Sequence, residues 1–115
     1  MNAAIVTGIL LAAAFGALGG AKIAKSSSMR ARAEHVGFSV ERYQLIGAAE
    51  VLGALGVAAG LVYAPIGYAA ATGLLALLAG AVLTHLRSGD PAADLGPAAL
   101  FAVGTVAYLL ALGPV

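Results

Sequence analysis

Outside two polar connections, residues 22–42 and 87–94, the only charged side chain of this 115-residue chain is Glu50. That distribution constrains the fold more than any motif does. Residues 3–21 form an uncharged run that spans about 28 Å as a helix, enough to cross a hydrocarbon core of roughly 30 Å. Three more apolar stretches of similar length follow. They predict an all-α chain, an antiparallel four-helix transmembrane bundle with spans near residues 3–24, 40–62, 66–86 and 95–112. All of residues 1–115 are assigned to this single domain.

Composition supports the same class. Hydrophobic residues make up 62% of the chain and charged residues 10%, against about 25% charged in soluble domains. So small a soluble domain has no way to hide that much apolar surface, whereas a bilayer solvates the outward faces of its helices. The absence of cysteine excludes disulfides, thiolate metal sites and thiol redox chemistry carried by the chain itself. A net charge of +1 provides no broad basic surface, so no nucleic-acid partner is expected. The first run is too long for a cleaved signal peptide and lacks its basic leading region, so it reads as a retained helix.

Within the first span, Gly16 and Gly20 form a small-xxx-small pair suited to close helix approach, and Lys22 and Lys25 close the helix at a membrane surface. Residues 26–39 predict a polar connection holding a short amphipathic helix on the interface. Met29, Ala33 and Val36 share one stripe there, and Arg30, Arg32, Glu34 and His35 fill the rest of the wheel. A second role for this segment is a lid, with Met29 and Phe38 dipping back toward Glu50. Ser39 is the expected N-cap of the second span, with Glu41 in its first turn.

The second span has two faces. At 100° per residue Tyr43, Ile46, Gly47, Gly53, Ala54 and Val57 lie on the side of Glu50, and Leu45, Leu52, Leu55, Ala59 and Val62 lie opposite. The leucine side is expected to meet lipid and the glycine side the bundle interior. In the third span Ala69, Gly73, Ala76 and Gly80 form a smooth face for helix contact, and His85 falls on the other side with Leu74, Leu78 and Ala81. Ser88-Gly89-Asp90-Pro91 breaks that helix. Thr105 and Tyr108 are the polar side chains of the fourth span, and Tyr63 and Tyr68 read as interfacial anchors.

All six basic residues flank the first or third connection. By the positive-inside rule those loops are cytoplasmic and both termini lie outside. Glu50 then sits roughly 10 Å into the inner half of the membrane.

Lys22, Glu50, His85 and Arg87 gather at this inner side, with Tyr43 and Gln44 nearby. A buried carboxylate is either protonated or paired with a cation, and Lys22 is the cation placed to reach it. Three readings follow: a structural pin between two helices, a ligand or substrate site, or a proton path. As a ligand site the pocket comprises Tyr43, Gly47, Glu50, Lys22, Phe38 and Met29 and takes a hydrophobic small molecule. As a catalytic site Glu50 is the acid or base, assisted by Lys22 or His85. Taken by itself, His85 beside Arg87 reads as an interfacial polar residue, and no spacing of His and acidic residues suggests a metal site. No cofactor is specified. Membrane lipid is the expected environment, and the glycine faces favour a homo-oligomer or a subunit of a membrane complex.

The ordered set Gly20-Ala21-Lys22-Ile23, Ile46-Gly47-Ala48-Ala49-Glu50-Val51-Leu52-Gly53 and Gly80-Ala81-Val82-Leu83-Thr84-His85-Leu86-Arg87 resembles the DoxX-like family of small four-helix membrane proteins. The resemblance covers nearly the whole chain. It implies a bundle in a bacterial cell membrane and points to Lys22, Glu50 and His85. It also implies a link to quinone-coupled oxidoreductase systems, in which a chain without cysteine would need another subunit or cofactor to handle electrons.

Overall fold

The computed structural model describes residues 2–113. Five α-helices and a single 3-10 turn make up the order: α1 (Ala3–Ile23), α2 (Ser27–His35), α3 (Val40–Gly60), α4 (Ala64–Arg87), the turn Ala92–Leu95 and α5 (Gly96–Leu112). Four helical segments, Ala3–Ile23, Val40–Gly60, Ala64–Arg87 and Ala92–Leu112, are long and apolar enough to cross a membrane. The molecule is 40 Å along its longest axis, the thickness of a bilayer with its headgroups, about 40–45 Å.

Each helix begins at a capping side chain or at a proline. Asn2, Ser26 and Ser39 accept from the backbone N–H groups of Ile5, Met29 and Arg42, and proline occupies the first turns of α4 and α5, where no intrahelical donor is needed. The helices that end at the charged face share one terminator. In α1, α2 and α4 the chain turns through a left-handed residue (Lys25, Gly37 and Gly89), and the next N–H reaches back to a carbonyl in the last turn: Ser26 to Ala21, Phe38 to Ala33 and Asp90 to His85. Lys25, at φ 58°, is the one place where a side chain bears the cost of that conformation among the described residues.

The long helices pack as a ring in which α3 touches α1 and α4, and α5 closes the circuit between them. Contacts run head to tail in every pair: Gly8 lies near Leu61 and Tyr108, Gly19 near Gly47, and Gly60 near Gly67. The core is Leu11, Phe15, Ala54, Val57, Ala71, Leu74, Leu78, Ala98 and Tyr108. Phe15 and Phe101 meet at 5.3 Å between ring centroids. The buried Tyr108 hydroxyl donates to the Val57 carbonyl at 2.8 Å, and Thr105 donates to the Phe101 carbonyl at 2.7 Å, so both polar groups of α5 are satisfied inside the bundle. Tyr68 donates to the Gly113 carbonyl, tying α4 to the end of α5, while Tyr63 is exposed.

The two faces expected of the second span are present. Leu45, Leu52, Leu55 and Val62 are exposed, and Gly47, Glu50, Ala54 and Val57 are buried. Two expectations about small residues fail. Gly16 and Gly20 do not carry the approach of α1: a Cβ at Gly20 would meet nothing within 4 Å and one at Gly16 only Ala54 at 3.9 Å. Gly8 and Gly19 carry it instead, on a face shared with Leu11, Phe15 and Lys22. In α4 the smooth face of Ala69, Gly73, Ala76 and Gly80 is exposed, and the buried face is Gly67, Ala71, Leu74 and Leu78. The reason is mutual fit: α3 supplies the hollow at Gly53, where a Cβ would stand 2.5 Å from the Leu74 side chain, so α4 fills it with bulk.

Candidate functional site

Where α1 ends and α3 passes it, the backbones come closer than side chains allow. A Cβ at Gly19 would lie 2.5 Å from the Gly47 carbonyl oxygen, and one at Gly47 would lie 2.7 Å from both the Gly19 carbonyl oxygen and the Lys22 Cβ. This contact places Lys22 one turn from Glu50 on the facing helix. Lys22 Nζ donates to Glu50 Oε1 at 2.5 Å, with 10% and 8% of the two side chains exposed. A charge at this depth is tolerable because it is paired, and the pair holds α1 against α3 across the closest backbone approach at this end.

Tyr43, one turn before Gly47, brings its ring to 5.2 Å from Lys22 Nζ, a cation–π contact. Gln44 Nε2 donates to the Ile23 carbonyl at 2.8 Å and so caps the last turn of α1. From above, α2 lays Met29 and Ala33, exposed by 4% and 1%, onto this corner. A shallow depression lined by Lys22, Lys25, Met29, Arg30, Ala33, Val40 and Tyr43 marks the seam between α2 and the bundle, with no room for a water-sized sphere. Arg30 Nε donates to the Lys25 carbonyl at 3.1 Å and fixes the strained turn at its edge.

Of the six residues expected to form a pocket, Lys22, Tyr43 and Met29 line the seam, while Glu50 and Gly47 lie behind it against Lys22. Phe38 does not dip toward Glu50. Its ring leans on Tyr43, 6.4 Å between centroids, and lies under the Arg42 guanidinium at 5.7 Å, because the left-handed Gly37 turns the chain outward after α2. His85 is also apart from the pair. It stands on the packed side of α4, beyond Leu74 and Leu78, and its Nδ1 lies 2.6 Å from Asp90 Oδ2.

The opposite oxygen, Asp90 Oδ1, is 2.8 Å from Nε2 of His35, the last residue of α2. One carboxylate thus joins the covering helix to the end of α4. Asp90 is pushed below the ordinary carboxylate range, first by the hydrogen bond to His85 and then by that to His35. In the sequence the two histidines stand in separate segments, and Asp90 figures only in the Ser88–Pro91 helix break. The signal available was Gly89, whose left-handed φ of 72° brings the residue after it back over His85.

The model of the DoxX-like family matches residues 5–109. The chain belongs to the DoxX-like family. The match runs from the first turns of α1 nearly to the end of α5, so the DoxX-like part takes in the Lys22–Glu50 pair, the covering helix and the Asp90 bridge alike. No curated protein and no solved structure matches the chain. Family and fold together make this DoxX-like chain an integral membrane protein whose outward faces contact lipid.

Proposed function

We propose that the protein is a binding or accessory component of a membrane system, holding a lipid-soluble molecule with a polar group, such as a lipid or a quinone-like carbonyl compound, beside Lys22. The observation that carries this reading is the corner itself. A buried ammonium with three N–H donors gives one to Glu50, faces an aromatic ring and is covered by a short amphipathic helix instead of a membrane span. A carbonyl or hydroxyl entering beneath Met29 would take a further Lys22 donor, and its apolar body would follow the seam between α2, Val40 and Tyr43. Because the seam is closed, binding requires α2 to lift.

The test is purification from native membranes followed by mass spectrometry of co-purifying lipids, quinones and proteins. A small molecule present in the wild type and lost in Glu50→Gln and Lys22→Met supports the reading. A bundle that carries nothing, and loses thermal stability in the same variants, favours the structural pin. The specific observation behind that second reading is the Gly19–Gly47 approach, which leaves no volume at the pair. A catalytic role for Glu50 requires product formation by the isolated chain, abolished in Glu50→Gln while the fold persists.

In our reading the charged end faces the cytoplasm. Lys22, Lys25, Arg30, Arg32, Arg42 and Arg87 all belong to the end where α1 and α4 finish and α3 and α5 begin. The Lys22–Glu50 corner is then an inner-leaflet site.

A further inference from the structure

Covering helix α2 is only nine residues long, too short to be stable by itself, and it buries just Met29 and Ala33. Its hold on the bundle depends on what its ends are tied to. The first end continues from α1 through the Lys25 turn. The other end carries His35, whose ring, 58% exposed, makes its polar contact with Asp90, a side chain 6% exposed. Asp90 is itself fixed from two directions: its N–H donates to the His85 carbonyl at 3.1 Å and its Oδ2 meets His85 Nδ1. A rigid carboxylate just past the end of α4 therefore grips the last residue of α2, before the short connection of residues 36–39 that leads into α3.

We infer that His35–Asp90–His85 is a latch that holds α2 down over the Lys22–Tyr43 seam, tightened when the imidazoles are protonated and loosened when they are neutral. This rests on the reading of the seam as a binding site, and names what controls access to it. An imidazole changes charge between about pH 5 and 8, and a carboxylate binds the charged ring by attraction as well as by hydrogen bonding. Asp90 stays ionised throughout that range, held low by the same two rings. The titratable groups that face it are His35 from α2 and His85 from α4. Arg30, Arg32 and Glu34 on α2, Arg87 in the last turn of α4 and Asp94 on the 3-10 turn are the other charged groups of these elements, and all five are exposed. Acidification within the imidazole range closes the site, and alkalinisation frees the covering helix.

Because the chain has no cysteine, two spin labels can be placed at will. The experiment uses Ala31→Cys with Ala92→Cys, both exposed, in the full chain in lipid nanodiscs, and measures the label-to-label distance distribution at pH 6 and pH 9. One narrow peak is expected at pH 6, broadened or lengthened at pH 9. Asp90→Ala and, separately, His35→Ala should give the broad distribution at both pH values, with Asp94→Ala as the unchanged control. His35→Ala trims an exposed side chain, so a misfolded bundle is not available as an explanation. A distribution that ignores the substitutions, or ignores pH in the parent protein, overturns the latch. The readout requires no ligand: a working latch on a protein that co-purifies with nothing removes the binding proposal alone, and a bound molecule with an immobile α2 removes the latch alone.

Discussion

Gly19 and Gly47 touch backbone to backbone one turn from the only ion pair buried in the described bundle, and neither position has room for a methyl group. The approach is what allows the lysine of one helix to reach the acid of the other. Replacing either glycine by alanine pushes α1 off α3, because the obstructing atom is a carbonyl oxygen and not a flexible side-chain tip. Gly19→Ala and Gly47→Ala are each expected to destabilise the protein by about 1–3 kcal/mol, the range for overpacked contacts. Thermal unfolding in mild detergent measures this. Gly20→Ala, with open space around it, should leave the midpoint unchanged or slightly raised.

The ion pair predicts non-additive energetics. Removing one partner leaves an unpaired charge in a buried site, so Lys22→Met and Glu50→Gln should each cost on the order of 3–5 kcal/mol. The double variant removes both charges and should be more stable than the sum of the single losses by at least 1 kcal/mol, since the residues are in direct contact. A double-mutant cycle on unfolding midpoints reads the coupling directly, and additive losses would mean the two charges do not sense each other.

Helix spans, the Ser39 cap and the division of α3 into a leucine face and a glycine face were legible in the sequence because each depends on local periodicity or a single capping side chain. The Lys22–Glu50 pair was legible for a different reason: a lone acid at membrane depth needs a cation, and few were in reach. Which glycines are packing glycines was not. Gly16, Gly19 and Gly20 lie within five residues of one another, and only the rotation of α1 set by Leu11, Phe15 and Lys22 selects Gly19. The same holds for α4, where the bulky face turns inward because α3 offers a hollow at Gly53. Asp90 was invisible for lack of any local pattern linking it to His35, 55 residues away.

Lys25 offers a stabilising substitution. Its left-handed φ of 58° is unfavourable for a residue with a side chain, yet the turn it makes ends α1 and launches α2. Lys25→Gly relieves that strain and should raise stability by up to about 1 kcal/mol, less the extra entropy glycine has when unfolded. A calorimetric midpoint that falls would show that the lysine side chain makes a compensating contact stronger than the strain.

Acid stability should carry the signature of Asp90. Its folded-state pKa lies below the ordinary carboxylate value of about 4, so the group contributes stability above that value and loses it as pH falls through the lower, folded pKa. Titrating the unfolding midpoint between pH 6 and pH 2 should show a decline in the parent protein that is shallower in Asp90→Asn. His85→Gln should flatten the profile more than His35→Gln, because the hydrogen bond to His85 is the larger cause of the shift. Equal effects, or none, would place the acid sensitivity in other carboxylates.

Orientation in the membrane is open to a direct chemical measurement that the cysteine-free sequence makes simple. Ser28→Cys lies on exposed α2 at the charged end, and Val62→Cys lies, 92% exposed, in the opposite turn between α3 and α4. With the basic loops inside, a membrane-impermeant maleimide added to intact cells should modify the Val62 variant and spare the Ser28 variant until the membrane is opened. The inverse pattern would place Lys22 and Glu50 in the outer leaflet. The proposed seam would then open toward that leaflet, and the proposed His35–Asp90–His85 latch would face the exterior.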